Sequence, residues 1–153
     1  MATFDLPKSM DDVVEGKPLP NSTYSLRLKE PASLEPNKAM REDPSSEKAG
    51  FNIVLKLETF GEPDPLLNGR EFIVWLSMPK PSDALRTTKR GQTITDWKMQ
   101  NIANAVRALG GTISGPSVEI PEGALCKALI VQTLDQERQQ ILNDISGDLK
   151  PFE

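Results

Sequence analysis

The sequence predicts a mainly β protein of the α+β class: an OB-like five-stranded barrel with one amphipathic helix between strands 3 and 4. Three observations lead there. Three strand-like runs precede one helical stripe and two more strand-like runs, which is the element order of that barrel. All thirteen prolines fall outside these runs, as expected of a residue that removes a ladder donor. The glycines avoid them as well, with only Gly50 touching an edge.

The first strand, Ser22 to Lys29, alternates Tyr24, Leu26 and Leu28 with Ser25, Arg27 and Lys29, the period of two of a half-buried strand. The second, Phe51 to Glu58, sets Phe51, Ile53, Leu55 and Leu57 against Asn52, Val54, Lys56 and Glu58. Asn68-Gly69 supplies hairpin turn chemistry into the third, Arg70 to Ser77, where Phe72, Val74 and Leu76 oppose Glu71, Ile73 and Trp75. The connection from Thr59 is long for a tight hairpin and has room for a bulge.

The helix is expected from Asp96 to Leu109, with Met99, Ile102, Val106 and Leu109 on one stripe. Thr95 is the expected N-cap, Asp96 suits the positive end of the helix dipole, Ile94 is placed to staple onto Met99, and Gly110-Gly111 stops the helix. Leu125 to Thr133 and Gln139 to Ile145 complete the sheet, with 134–138 as the turn. Residues 21–146 then form the OB-like domain. An N-terminal arm spans 1–20, carrying Asp5, Asp11, Asp12 and Glu15 against Lys8 and Lys17, and a C-terminal tail spans 147–153. Residues 30–49 are a polar loop whose length, inside a compact domain, either counts against this assignment of elements or points to function.

At 153 residues and 37% hydrophobic content the chain builds one core. Aromatics are 5%, so the core is aliphatic and an aromatic off the core face stands out. A lone cysteine, Cys126, excludes an intrachain disulfide, and no run is apolar for long enough to span a membrane or form a signal peptide. A reducing cytoplasm is the expected compartment.

Catalysis is approached by elimination. The absence of histidine removes Ser-His and Cys-His nucleophile pairs and histidine metal sites. Cys126 sits in an apolar run and cannot build a zinc site alone. Gly110-Gly111 with Gly115 has neither P-loop nor dinucleotide spacing. Asp135 with Glu137, or Asp144 with Asp148, has the oxygen chemistry of a Mg²⁺ site, but the plain reading is a solvated turn and a polar terminus. We expect no catalytic residue, no metal and no cofactor.

Binding has more support. The net charge is -4, yet residues 70–110 hold seven basic against three acidic side chains, and residues 111–153 hold three against seven. A basic middle suits contact with a polyanion, since Lys and Arg contacts to phosphate supply most sequence-independent affinity. If Ile53, Leu55, Leu57, Phe72, Val74 and Leu76 face inward, parity puts Trp75 outward with Lys56, and the first strand adds Arg27 and Lys29. An exposed tryptophan among cations stacks bases while phosphates are neutralised. The competing reading covers Trp75 with the arm or the long loop. If the parity is inverted, Tyr24 or Phe51 takes the stacking role instead. Arg86-Thr87-Thr88-Lys89-Arg90 is a compact cationic loop, and Trp97 reads as a packing residue.

Phe4-Asp5-Leu6-Pro7, Leu19-Pro20 before Tyr24, Gly50 before Phe51-Asn52-Ile53-Val54-Leu55, Asn68-Gly69-Arg70 and the helix ending in Gly-Gly together resemble small early-region proteins of bacteriophages. Some of these have unknown function and some are described as candidate single-stranded-DNA-binding proteins. The resemblance spans most of the chain. It implies a non-enzymatic role in phage DNA replication or recombination in the host cytoplasm, beside phage or host replication and recombination proteins. The chain departs from well-characterised single-strand binders in its few aromatics and in lacking a glycine-rich acidic tail. Its last six residues, Asp148 to Glu153, only faintly resemble the acidic Pro-Phe-ended tails that recruit repair enzymes.

The expectation is therefore single-stranded DNA bound by Trp75, with Arg27, Lys29, Lys56, Arg70, Arg86, Lys89 and Arg90 on phosphates, and with a homo-oligomer left open. The alternative is a protein-interaction or virion-associated module using the same sheet.

Overall fold

The computed structural model describes residues 1–12 and 16–153; Glu15, counted above among the acids of the arm, lies outside the described residues. The mainly β class with one main helix is the observed one: among the described residues there are eight strands in antiparallel sheets and two α-helices. Strands β1 (Ser22–Leu28), β3 (Phe51–Thr59), β4 (Glu71–Ser77), β7 (Leu125–Asp135) and β8 (Gln140–Pro151) correspond to the five expected runs. They are joined by β2 (Ser33–Pro36), and a separate small hairpin is made by β5 (Thr112–Ser114) and β6 (Ser117–Glu119).

The pairing runs β4-β3-β1-β7-β8, every neighbour antiparallel. β3 organises it. One of its edges pairs with β4 from Asn52 to Glu58, while the other pairs with β2 at Phe51 to Val54 and with β1 at Leu57 to Thr59. β1 and β2 thus act as two halves of one partner, interrupted at Pro31, which has no N–H to give a ladder. The sheet does not close: among the described residues β4 and β8 share no pairing, which corrects the expectation of a five-stranded barrel.

The core lies where parity put it. Tyr24, Leu26 and Leu28 from β1, Leu55 and Leu57 from β3, and Cys126, Ala128 and Ile130 from β7 are buried together. Each leucine so buried contributes roughly 1.5–3 kcal/mol. Helix α2 (Ile94–Ala108) covers this core with Ala105 and the following Leu109. Its N-cap is Thr93, whose hydroxyl accepts from the Asp96 N–H at 3.1 Å, rather than Thr95. Of the expected stripe, Ile102, Val106 and Leu109 are buried, whereas Met99, nearer the start of the helix, is 52% exposed. Leu19 anchors the end of the arm. It is fully buried; its N–H donates to Asn143 Oδ1 and its carbonyl accepts from Asn143 Nδ2 and Gln132 Nε2.

Two further segments differ from expectation. The polar loop 30–49 contains β2 and the short helix α1 (Lys38–Glu42). It is held by Asn37, whose Oδ1 accepts from Met40 N–H and Gly50 N–H while Nδ2 donates to the Lys48 carbonyl. Residues 147–151, expected as tail, continue β8 past a register shift opposite 127–129, with Gly147 at φ 76°. No helix among the described residues is long and apolar enough to cross a membrane.

Candidate nucleic-acid interface

Trp75 is 61% exposed on the outer face of β4, its Cα partner on β3 being Val54. Tyr24, the residue for inverted parity, is buried in the core, its hydroxyl donating to the Pro20 carbonyl at 2.8 Å. Phe51 is 43% exposed at the start of β3. The long loop reaches the outer face but stops short of the tryptophan. Val54 is covered, and Pro36, Asn37, Lys38 and Arg41 line with Asn52, Val54 and Trp75 a groove of about 290 Å³.

The cations assigned to the outer face are engaged elsewhere. Arg27 Nε lies 2.7 Å from Glu58 Oε1, its Cα partner across β1 and β3, and its guanidinium sits 5.8 Å from the Phe60 ring centroid. Lys29 pairs with Glu71, which raises the pKa of the lysine and lowers that of the glutamate, each chiefly through this hydrogen bond. Lys56 pairs with Glu30 at 3.3 Å. The outer face beyond Trp75 is therefore a charge-compensated lattice of three ion pairs.

The basic middle of the chain divides in the same manner. Arg70 donates to the Leu66 carbonyl at 3.2 Å, and Lys80 to the carbonyls of Glu47 and Ala49. Arg86 and Lys98 both reach Asp83, at 2.9 and 2.8 Å, and the Lys80 N–H completes the set at 3.0 Å. Burial alone would raise the Asp83 pKa, but the donors from Lys98, Lys80 N–H and Arg86 outweigh it and hold the carboxyl at about 2. Arg86 thus braces the loop. Lys89 and Arg90 are exposed and form no ion pair among the described residues.

On its other side Trp75 borders the gap between β4 and β8. This groove, about 890 Å³, is lined by β4 from Glu71 to Leu76, by Trp97, Asn101 and Asn104 of α2, and by β8 residues that include Asp144 and Asp148. Trp97 is 46% exposed and no core residue. It leads into a third depression, about 380 Å³, which holds Lys89, Arg90, Gln92 and Gln100 and shares Trp97, Asn101, Asn104 and Asp148 with the second. Reading the sequence missed Lys38, Arg41, Trp97 and the amides. The available signal was the i, i+3, i+4, i+7 spacing of Trp97, Gln100, Asn101 and Asn104, a second stripe on α2 beside the apolar one.

The carboxylates considered for a metal have local roles: Asp135 Oδ1 accepts from the N–H groups of Glu137 and Arg138 in the β7–β8 turn, and Asp144 accepts from the Thr133 hydroxyl at 2.7 Å. Asp148 lines the second and third grooves. No family model matches the chain, and no curated protein matches its sequence.

Proposed function

We propose that this protein binds single-stranded DNA without catalysis, stacking bases on Trp75 and holding phosphates with Lys89 and Arg90, in the setting of phage replication or recombination inside the host. The observation that carries it is the position of Trp75, exposed on the sheet at the junction of two grooves in a chain with few aromatics. An exposed indole offers a flat apolar face, and a base is a partner of matching shape. The strand order supports the reading further: β4-β3-β1-β7-β8, with the helix between β4 and β7, is compatible with an OB-like order whose seam between the third and fifth strands is open.

The test is tryptophan fluorescence titration with oligothymidine at low and moderate salt. Wild type should be quenched and should bind less tightly as salt rises, and Trp75→Ala should lose 1–3 kcal/mol, about 5- to 150-fold in affinity. No binding at low salt would remove the reading.

A second reading rests on a different observation. Among the described residues the outer edge of β4 has no strand partner, and its seven residues carry no proline and no bulge, with Ile73 and Trp75 exposed. Such an edge accepts an added strand, so a protein partner, including another copy of the chain, is the alternative. Salt-insensitive association, or self-association in sedimentation that Ile73→Lys abolishes, would favour it.

A further inference from the structure

We infer that the bound strand crosses β4 instead of following the outer face of the sheet. It runs from the α1 groove over Trp75, past Trp97, and out at Lys89 and Arg90. This deepens the single-stranded-DNA reading and rests on it.

Continuity comes first. Trp75 lines both the α1 groove and the β4–β8 groove, and Trp97 lines both the β4–β8 groove and the one holding Lys89 and Arg90. The three depressions therefore form one tract, with a tryptophan at each junction.

Charge follows the same line. Lys38 and Arg41 lie at one end of the tract, Lys89 and Arg90 at the other. Arg41, Lys89 and Arg90 have no ion-pair partner among the described residues, and the only one for Lys38 is Glu42, at 3.9 Å with both side chains exposed. Over the outer face, by contrast, Arg27, Lys29 and Lys56 are each matched by a carboxylate. A phosphate arriving there must displace an acid, whereas at the ends of the tract it meets cations without a strong competitor. Of the acids along the tract, only Glu71 has a cation partner among the described residues, Lys29; Asp144, which accepts from the neutral Thr133 hydroxyl, keeps its charge, and with Glu35 and Asp148 it sets three carboxylates against the four cations.

The order of chemistry defines the ligand. Two exposed indoles in the middle require bare base faces, so the nucleic acid is unpaired there. Cations at both ends require phosphates on both sides of the stacked bases, so an internal stretch of strand is bound and a free end is not needed. The amides of Gln100, Asn101 and Asn104 stand beside Trp97, where they reach the edges of a stacked base.

The experiment measures anisotropy of a labelled oligothymidine with wild type, Lys38→Glu/Arg41→Glu, Lys89→Glu/Arg90→Glu, and Lys29→Ala/Lys56→Ala as the outer-face control. Circular dichroism establishes that each variant is folded. Each reversal should weaken binding by about tenfold or more and reduce the slope of log affinity against log salt by about 1.4, two phosphates at roughly 0.7 each. The control should change affinity less than about threefold. Closed circular single-stranded DNA should compete with the oligonucleotide, and a blunt duplex should not. Binding by wild type that is unaffected by the reversals, or that falls with the control instead, overturns the tract together with the phosphate role of Lys89 and Arg90, and leaves single-stranded-DNA binding on Trp75 standing. Failure of wild type to bind at low salt overturns the DNA reading itself.

Discussion

Asp83→Asn should cost about 2 kcal/mol at neutral pH, and that cost should disappear in acid. The carboxylate is fully buried at the N-terminal side of α2, with Arg86, Lys98 and the Lys80 N–H donating to it. Its pKa of about 2 lies below the ordinary 3.8, and at about 1.4 kcal/mol per pH unit that gap corresponds to roughly 2 kcal/mol. The Arg86 side chain is 63% exposed, so solvent screens part of the interaction and the expected cost does not exceed about 2 kcal/mol. A carboxyl with a depressed folded-state pKa stabilises fully above its unfolded value and loses that contribution as pH falls through the folded one. The difference between wild type and variant should therefore be constant above about pH 5 and shrink between about pH 4 and 2. Urea unfolding followed by far-UV circular dichroism at pH 7, 5, 3.5 and 2.5 measures it, with unchanged m-values confirming that the unfolding reaction is the same. Equal stability at pH 7, or a difference at pH 2.5 as large as that at pH 7, would refute the assignment of Asp83 as the charged brace of this loop.

Two further outcomes are expected. At Gly111 an added Cβ would meet the Glu119 carbonyl and lie 2.8 Å from Val106 Cγ1, so Gly111→Ala should cost about 1–3 kcal/mol in thermal or urea unfolding, whereas Gly16→Ala, with nothing within 4 Å, should be neutral within about 0.5 kcal/mol. Cys126 is fully buried, and burial pushes its thiol up to about 12; Ellman's reagent at pH 8 should label it only in denaturant, and stoichiometric labelling of native protein within minutes would contradict the packing of β7.

What could be read from the sequence was what period-two patterning encodes. The alternation in 22–29, 51–58 and 70–77 gave the strands to within a residue at their ends, their inner faces and the outward direction of Trp75, because those depend only on residue parity. Partners across strands depend on register, which parity does not set. Arg27 meets Glu58 because they are Cα partners, and Lys29 reaches Glu71 across two strands; neither pairing is visible along the chain. The α1 segment was hidden for another reason: it is held by the side chain of Asn37, not by an apolar stripe. The helix start moved from Thr95 to Thr93 because both are hydroxyl residues with helix-forming sequence behind them. Met99 shares the apolar stripe but is exposed near the start of the helix, because periodicity sets a residue's face and not how far along the helix the core extends. The end of β8 was lost at Gly147 and Asp148, which read as a terminus and fold as an irregularity within the strand.

The balance of charges also fixes what kind of binder this would be. An acidic chain at net -4 repels a polyanion at long range, and the ion pairs of the outer face leave no compensating field there. Four cations at the ends of the tract would neutralise about four phosphates, giving a salt slope near -2.8. That is shallow beside proteins that make six to ten phosphate contacts. Affinity would then depend mostly on the two tryptophans, at roughly 1–3 kcal/mol per stacked base. Removing both indoles should accordingly weaken binding more than removing any two of the four cations, an ordering opposite to that of a binder driven by phosphate contacts.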